Sequence, residues 1–191
     1  AFLFQSCCNN PTGKDYTRDE WDILIQSIYD SGHLVIIDNA YQGLGSGDPN
    51  IDNYCIRQFS DSNIPLIVCS SYAKNFGLYN QRLGSLLTNI QEDNLNEHIK
   101  QLIRKTYSNP PSYGSVIFNK VVEEYYDEWE TECKELVSLL KQKRKELDTF
   151  LLKRGISFKE LKEGNGLFYL TTLTIEQIEQ LQTKHSIYML M

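Results

Sequence analysis

Residues 1–38 read AFLFQSCCNNPTGKDYTRDEWDILIQSIYDSGHLVIID, and the order of patterns in this stretch decides the fold. AFLFQSCC and LVIID are short apolar runs closed by polar or turn residues, the pattern of buried strands. Between them, TRDEWDILIQSIYDSG carries the signals of a single helix. Thr17 and Glu20 form a capping box, Trp21, Leu24, Ile25 and Ile28 recur on one face, and Gly32 stops the helix. Strand, helix, strand in that order implies a parallel pair joined by a crossover. This is the unit of an α/β domain whose ligands sit at the carboxyl ends of its strands.

Two further runs, PLIVCS and LGSLLT, read as buried strands of the same sheet, so the expected fold class is α/β with a mostly parallel sheet and flanking helices. Beyond Gln91 the pattern changes. EDNLNEHIKQLIRK reads as a helix, the SNPP stretch at Ser108 to Pro111 breaks the chain, and Ser115 to Lys153 is one long helical pattern. Trp129, Cys133, Leu136, Val137 and Leu140 share a face of it, while KQKRKE reads as a solvated face. Leu167 to Leu173 and Ser186 to Met191 read as strands around a helix begun by Thr174 and Gln177. The expected organisation is an α/β portion over 1–114, a long interdomain helical region over 115–153 and part of a small α+β domain over 154–191.

Composition narrows the function classes. The 191 residues are 41% hydrophobic and 23% charged, enough to build a core. A net charge of −6 argues against a nucleic-acid binder, which needs clustered Lys and Arg. The five cysteines include vicinal Cys7 and Cys8 but no metal-like CxxC pair, and they read as reduced thiols of an intracellular protein. No apolar run approaches the ~20 residues of a membrane span. Both ends fall inside apolar runs, so the expectation is an internal portion of a longer soluble protein, inactive by itself.

The chemistry-bearing residues cluster at strand ends. Asn10 follows the first strand in NNPTG, Asp38 and Tyr41 follow the second in IIDNAYQG, and Lys74 and Arg82 follow the third in SSYAKNFGLYNQRLG. Singly, each has an ordinary explanation as a cap, a turn residue or a solvated surface group. Together they suit pyridoxal phosphate. That cofactor needs a lysine to bond it covalently, an acid opposite its pyridine nitrogen, donors for its phenolate oxygen and an anion site for its phosphate.

CCNNPTG, IIDNAYQGLGSGD, SSYAKNFGLYNQRLG and TYSNPPSYG resemble the consecutive motifs of aspartate aminotransferases, within the class I pyridoxal-phosphate-dependent aminotransferases. The resemblance runs through nearly all of the chain. It implies the type I fold of pyridoxal-phosphate enzymes and transamination between aspartate or glutamate and 2-oxo acids. It implies that Lys74 forms the internal aldimine and later shifts a proton, and that Asp38 pairs with the ring nitrogen. Tyr41 and Asn10 would bond the ring oxygen, Asn10 also lying beside the substrate, and Ser71 and Arg82 would hold the phosphate. Arg104 would reach the side-chain carboxylate of a dicarboxylic substrate in the neighbouring subunit, so the implied assembly is a homodimer with shared active sites. The implied compartment is the cytoplasm, with the mitochondrion open.

Two positions depart from the family pattern. Gln5 stands where many members have a histidine behind the aspartate, and Gln81 stands where a glutamate is usual beside Arg82. The family's arginine for the substrate α-carboxylate falls beyond Met191. Two alternatives stay open: an aromatic amino acid aminotransferase of the same family, and a non-catalytic homologue or fragment.

Overall fold

The computed structural model describes residues 1–189. Four strands, β1 (Phe2–Gln5), β2 (Val35–Asn39), β3 (Leu66–Ser71) and β4 (Gly84–Thr88), form one sheet in the order β1-β2-β3-β4. β1, β2 and β3 are parallel, and β4 runs antiparallel to β3. All four strands and the mostly parallel sheet agree with the pattern in the sequence.

Helix α1 (Arg18–Ser31) makes the first crossover. Thr17 accepts from the Glu20 N–H at 3.2 Å while the Glu20 carboxylate accepts from the Thr17 N–H at 2.8 Å, and Gly32 closes the helix in the left-handed conformation (φ 65°). Removing such a cap costs about 1 kcal/mol. Thr17→Ala should therefore lower stability by about that amount, read as a lower urea midpoint at unchanged slope.

Trp21, Ile25 and Ile28 of α1 pack with Val35, Ile37, Leu66 and Val68 of the sheet and with Cys55 and Phe59. The last two lie on α3 (Tyr54–Asp61), which follows the short α2 (Pro49–Asp52). Neither helix was expected, although Asp48 capping Pro49 is a helix start and Cys55 and Phe59 stand one turn apart.

α1 and α3 cover one face of the sheet, and this corrects the reading of all four runs as buried. Leu3 on β1 is 70% exposed and Leu87 on β4 is 60% exposed. An apolar run shows that a segment can be covered; it does not show which neighbours cover it.

Helix α4 (Leu95–Thr106) matches its pattern. The expected continuous helix after Ser115 is instead two, α5 (Tyr113–Glu124) and α6 (Tyr126–Leu152), broken at Tyr125 with φ −135°. Neither Gly nor Pro marks the break. Its physical reason is tertiary: Phe118 of α5 and Trp129 of α6 both pack on Phe76, with ring centroids 4.8 and 4.6 Å away.

After the short α7 (Lys159–Glu163), Leu167 to Leu173 is not a strand, and α8 (Ile175–His185) follows behind the expected Thr174–Gln177 capping box. Among the described residues no strand neighbours this segment, and a lone extended run cannot form a ladder. Of the last expected strand, residues 186–189 carry no regular structure, while Leu190 and Met191 lie outside the described residues. No helix among the described residues is long and apolar enough to cross a membrane.

Candidate active site

The parallel register places Gln5 beside Asp38 and Asp38 beside Cys69, so the carboxyl ends of β1, β2 and β3 lie side by side. Asn39, buried at the end of β2, ties them together. It accepts from the Ser6 hydroxyl at 2.7 Å and donates to Gln42 at 3.1 Å and to the Ser70 hydroxyl at 3.2 Å. Three strand ends are thereby cross-linked through one buried amide whose hydrogen-bonding groups are satisfied.

On this platform stand the residues expected from the sequence. Asp38 is half-buried and accepts from the Gln5 side-chain Nε2 at 3.4 Å, and the Gln5 side-chain Oε1 accepts from the Asn10 N–H at 2.7 Å. Gln5, the departure from the family pattern, thus links the aspartate to the NNPTG loop. Asn10 donates a long hydrogen bond of 3.5 Å to the Tyr41 hydroxyl. Lys74 Nζ lies 5.0 Å from the centre of the Tyr41 ring. Among the described residues the Lys74 side chain makes no hydrogen bond or ion pair.

Tyr41 is buried, and that burial pushes its phenol up; the hydrogen bond from Asn10 opposes the shift, and the nearby Asp38 charge adds to it. The phenol is therefore neutral near pH 7. Because it accepts from Asn10, its own O–H stays available to donate elsewhere.

The loops carrying these groups are held by residues that the sequence reading passed over. Asp52, buried on α2, accepts from the N–H groups of Gly43, Gly45 and Ser46 at 2.8, 3.0 and 2.9 Å, which fixes the turn after Tyr41. Asn75, next to Lys74, donates to the Gln42 carbonyl at 3.0 Å, and its own carbonyl accepts from the Trp129 indole at 2.8 Å. Phe76 stacks on Trp129. Asp52 and Asn75 look like loop residues in a sequence, and only their partners reveal what they hold.

A second correction concerns KQKRKE. Arg144, in the middle of this run, is half-buried on α6 and points away from solvent. Its guanidinium donates to the carbonyls of Glu160, Asn165, Gly166 and Phe168. The segment it gathers packs against the NNPTG loop: the Asn165 N–H donates to the Gly13 carbonyl at 2.7 Å. The approach is backbone to backbone. A Cβ at Gly166 would lie 2.5 Å from that of Cys8, and one at Gly13 would overlap the Phe168 carbonyl.

Not every expected site residue joins the cluster. Ser71 ends β3, and its hydroxyl accepts from the Ala73 N–H at 3.3 Å. Arg82 is exposed, in the left-handed conformation (φ 52°), and donates to the Tyr79 carbonyl at 3.3 Å. Arg104 stands exposed in the last turn of α4 and donates to the Ser108 hydroxyl at 2.9 Å, not to any strand-end residue. Gln81 packs under Gly114, where a Cβ would lie 2.8 Å from its own. The five cysteines are free thiols, and Cys7 is pushed up by its hydrogen bond with Cys8 and by burial.

The sequence model for aminotransferase class I and II matches residues 1–191, and the chain belongs to that family. It is 36% identical over 195 residues to the mitochondrial aspartate aminotransferase of Dictyostelium discoideum, covering 98% of this chain and 46% of that protein. The structure of a mitochondrial aspartate aminotransferase from Trypanosoma brucei superposes with a TM-score of 0.90 at 33% identity, covering 98% of this chain and 51% of the other. An aromatic-amino-acid aminotransferase from Burkholderia pseudomallei, solved with pyridoxal phosphate covalently bound, gives 0.89 at 29% identity, covering 98% and 49%. The chain thus spans about half the length of the relatives it matches. Those relatives include mitochondrial and cytoplasmic enzymes.

The family depends on pyridoxal phosphate, and the donor set here fits that group. One carboxylate, a phenol and an amide with spare donors, and a lysine whose side chain has no competing partner among the described residues stand at or just beyond three adjacent strand ends. This is the mixture of acid, donors and amine that the cofactor's ring requires.

Proposed function

We propose that the protein to which this chain belongs catalyses transamination between aspartate or glutamate and 2-oxo acids, with pyridoxal phosphate as its cofactor. The observation that carries the reading is the convergence of Asp38, Tyr41 with Asn10, and Lys74 at three adjacent strand ends. Residues 1–114, which supply the sheet and all of these groups, serve as part of the cofactor-binding domain. Residues 115–153 form the interdomain helical region, and residues 154–191 belong to a smaller domain.

In this reading Lys74 bonds the cofactor, Asp38 keeps its ring nitrogen protonated, and Tyr41 and Asn10 donate to its ring oxygen. Ser71 and Arg82 hold its phosphate, for which a planar guanidinium is well matched. The bound group supplies a sink for the electrons of the broken Cα–H bond. The Lys74 amine would take the Cα proton of the amino acid and deliver it again within the same site. Arg104 meets the side-chain carboxylate of the substrate across the interface of a homodimer.

The test is covalent trapping. Borohydride reduction of the complete, cofactor-loaded protein should fix the cofactor to the peptide containing Lys74. Label on another lysine, or no absorbance from bound cofactor in folded protein, would overturn the reading. A second reading, an aromatic amino acid substrate, is favoured by the similarity to the Burkholderia pseudomallei enzyme and to an aromatic amino acid aminotransferase of Psychrobacter sp. B6 at 34% identity. Relative turnover of aspartate and phenylalanine separates the two.

A further inference from the structure

Arg144 belongs to no motif of the crevice, yet it is the most heavily engaged guanidinium among the described residues. Its donors gather four carbonyls, that of Glu160 in α7 and those of Asn165, Gly166 and Phe168 in the irregular segment that follows, where neither helix nor strand satisfies them. Asn165 carries that segment to the NNPTG loop through its N–H to Gly13 and its side-chain amide to Asp15 at 3.3 Å. Phe168, whose carbonyl Arg144 holds, sets its ring edge-on to Tyr41 with centroids 6.0 Å apart. About four turns earlier on the same helix, roughly 22 Å away along its axis, Trp129 holds the loop of Lys74 through the Asn75 carbonyl. One helix therefore holds both the Lys74 loop and the segment that packs on Tyr41.

Resting on the reading of that crevice as a cofactor site, we propose that Arg144 is a positioning residue: by gathering the Glu160 to Phe168 carbonyls it presses Phe168 onto Tyr41 and so fixes the phenol that meets the cofactor's ring oxygen. A planar fork of five N–H groups can serve several carbonyls at once. Lysine supplies three donors from one point and replaces it only in part. Tyr41 also faces Asn10, Asp38, Lys74, Tyr79 and Cys8, none of which Arg144 hydrogen-bonds, so the action on Tyr41 runs through Phe168.

The two effects of losing Arg144 have opposite signs. Removing a cation raises a phenol's titration midpoint, whereas letting water reach a buried phenol lowers it. The experiment is an NMR titration of the complete protein, without cofactor, labelled with 13C at the tyrosine ζ carbon. Loss of one resonance in Tyr41→Phe assigns the signal. Arg144→Met should lower the Tyr41 midpoint by half a pH unit or more, Arg144→Lys should restore part of the shift, and Phe168→Leu should reproduce it with Arg144 intact. With cofactor bound, Arg144→Met should reduce kcat about tenfold with a less than threefold change in KM.

An unchanged or raised Tyr41 midpoint in both Arg144→Met and Phe168→Leu overturns the proposal. So does an equal fall in Ile28→Ala, which loosens the sheet core without touching the crevice. If Arg144→Met does not fold, Phe168→Leu decides alone. The titration needs no cofactor, so a wild-type protein that binds no pyridoxal phosphate overturns the functional reading and leaves the link between Arg144 and Tyr41 to be judged separately.

Discussion

Lys74→Ala in the complete protein is expected to lower turnover by about 10,000-fold or more while leaving the fold intact. Positioned proton transfer contributes on the order of 100- to 10,000-fold, and here the same amine also forms the bond to the cofactor. The structure separates this loss from a stability effect. Among the described residues the Lys74 side chain has no hydrogen bond or ion pair, and its ammonium lies over the Tyr41 ring. A cation over an aromatic face contributes about 0.5–1 kcal/mol at a partly exposed site. The melting temperature should therefore move by a few degrees at most. The loop keeps its place through Asn75, Phe76 and Trp129, so cofactor should still be retained by the other groups. A variant that keeps a tenth of wild-type turnover would remove Lys74 from the chemistry, and one that fails to fold would show that the lysine has a structural role not seen here.

The second large effect concerns substrate choice. If aspartate and glutamate are the substrates, their side-chain carboxylate needs a cation, since leaving a buried charge unpaired costs roughly 2–5 kcal/mol. Arg104→Asp should then depress turnover of aspartate about 100-fold or more relative to an aromatic amino acid, and raise relative turnover of cationic amino acids. Lys105 cannot substitute, because adjacent helical positions point about 100° apart.

The competing role is visible in the structure. Arg104 lies in the last turn of α4, where a cation gains about 0.3–1 kcal/mol from the helix dipole. It also donates to Ser108 beyond the end of that helix. A purely local role predicts lower thermal stability with every substrate affected alike. Comparing kcat/KM for aspartate, phenylalanine and lysine in the complete protein distinguishes the two.

The features legible in the sequence are those whose cause is local. Thr17, Glu20 and Gly32 delimit α1 because the groups they satisfy lie within one turn. Asp38 and Lys74 could be placed at strand ends because an apolar run followed by a polar residue marks such an end without knowledge of its neighbours. What escaped depends on distant partners. Phe118 and Trp129, on either side of the interruption at Tyr125, both pack on Phe76, and no propensity near Tyr125 records that. Arg144 looks like one more charge in a solvated run until Glu160 to Phe168 fold beneath it. The exposed faces of β1 and β4 are the same lesson in reverse, since apolar composition does not name the covering element.

The seam between the NNPTG loop and the Gly164 to Phe168 segment has a consequence for how this protein can diverge. At Gly13 and Gly166 main chain meets main chain or the first carbon of a side chain, and both glycines have positive φ (69° and 72°). Ordinary packing absorbs a larger neighbour by rotating side chains. A seam without rotamers has no such compliance, and even alanine must push two chain segments apart. Drift at these two positions is therefore closed to single steps, while the exposed flanks of α6 can change residue by residue. Among descendants of this sequence, loss of either glycine should accompany loss of the crevice geometry, and it would mark lineages released from catalysis before any change at Lys74.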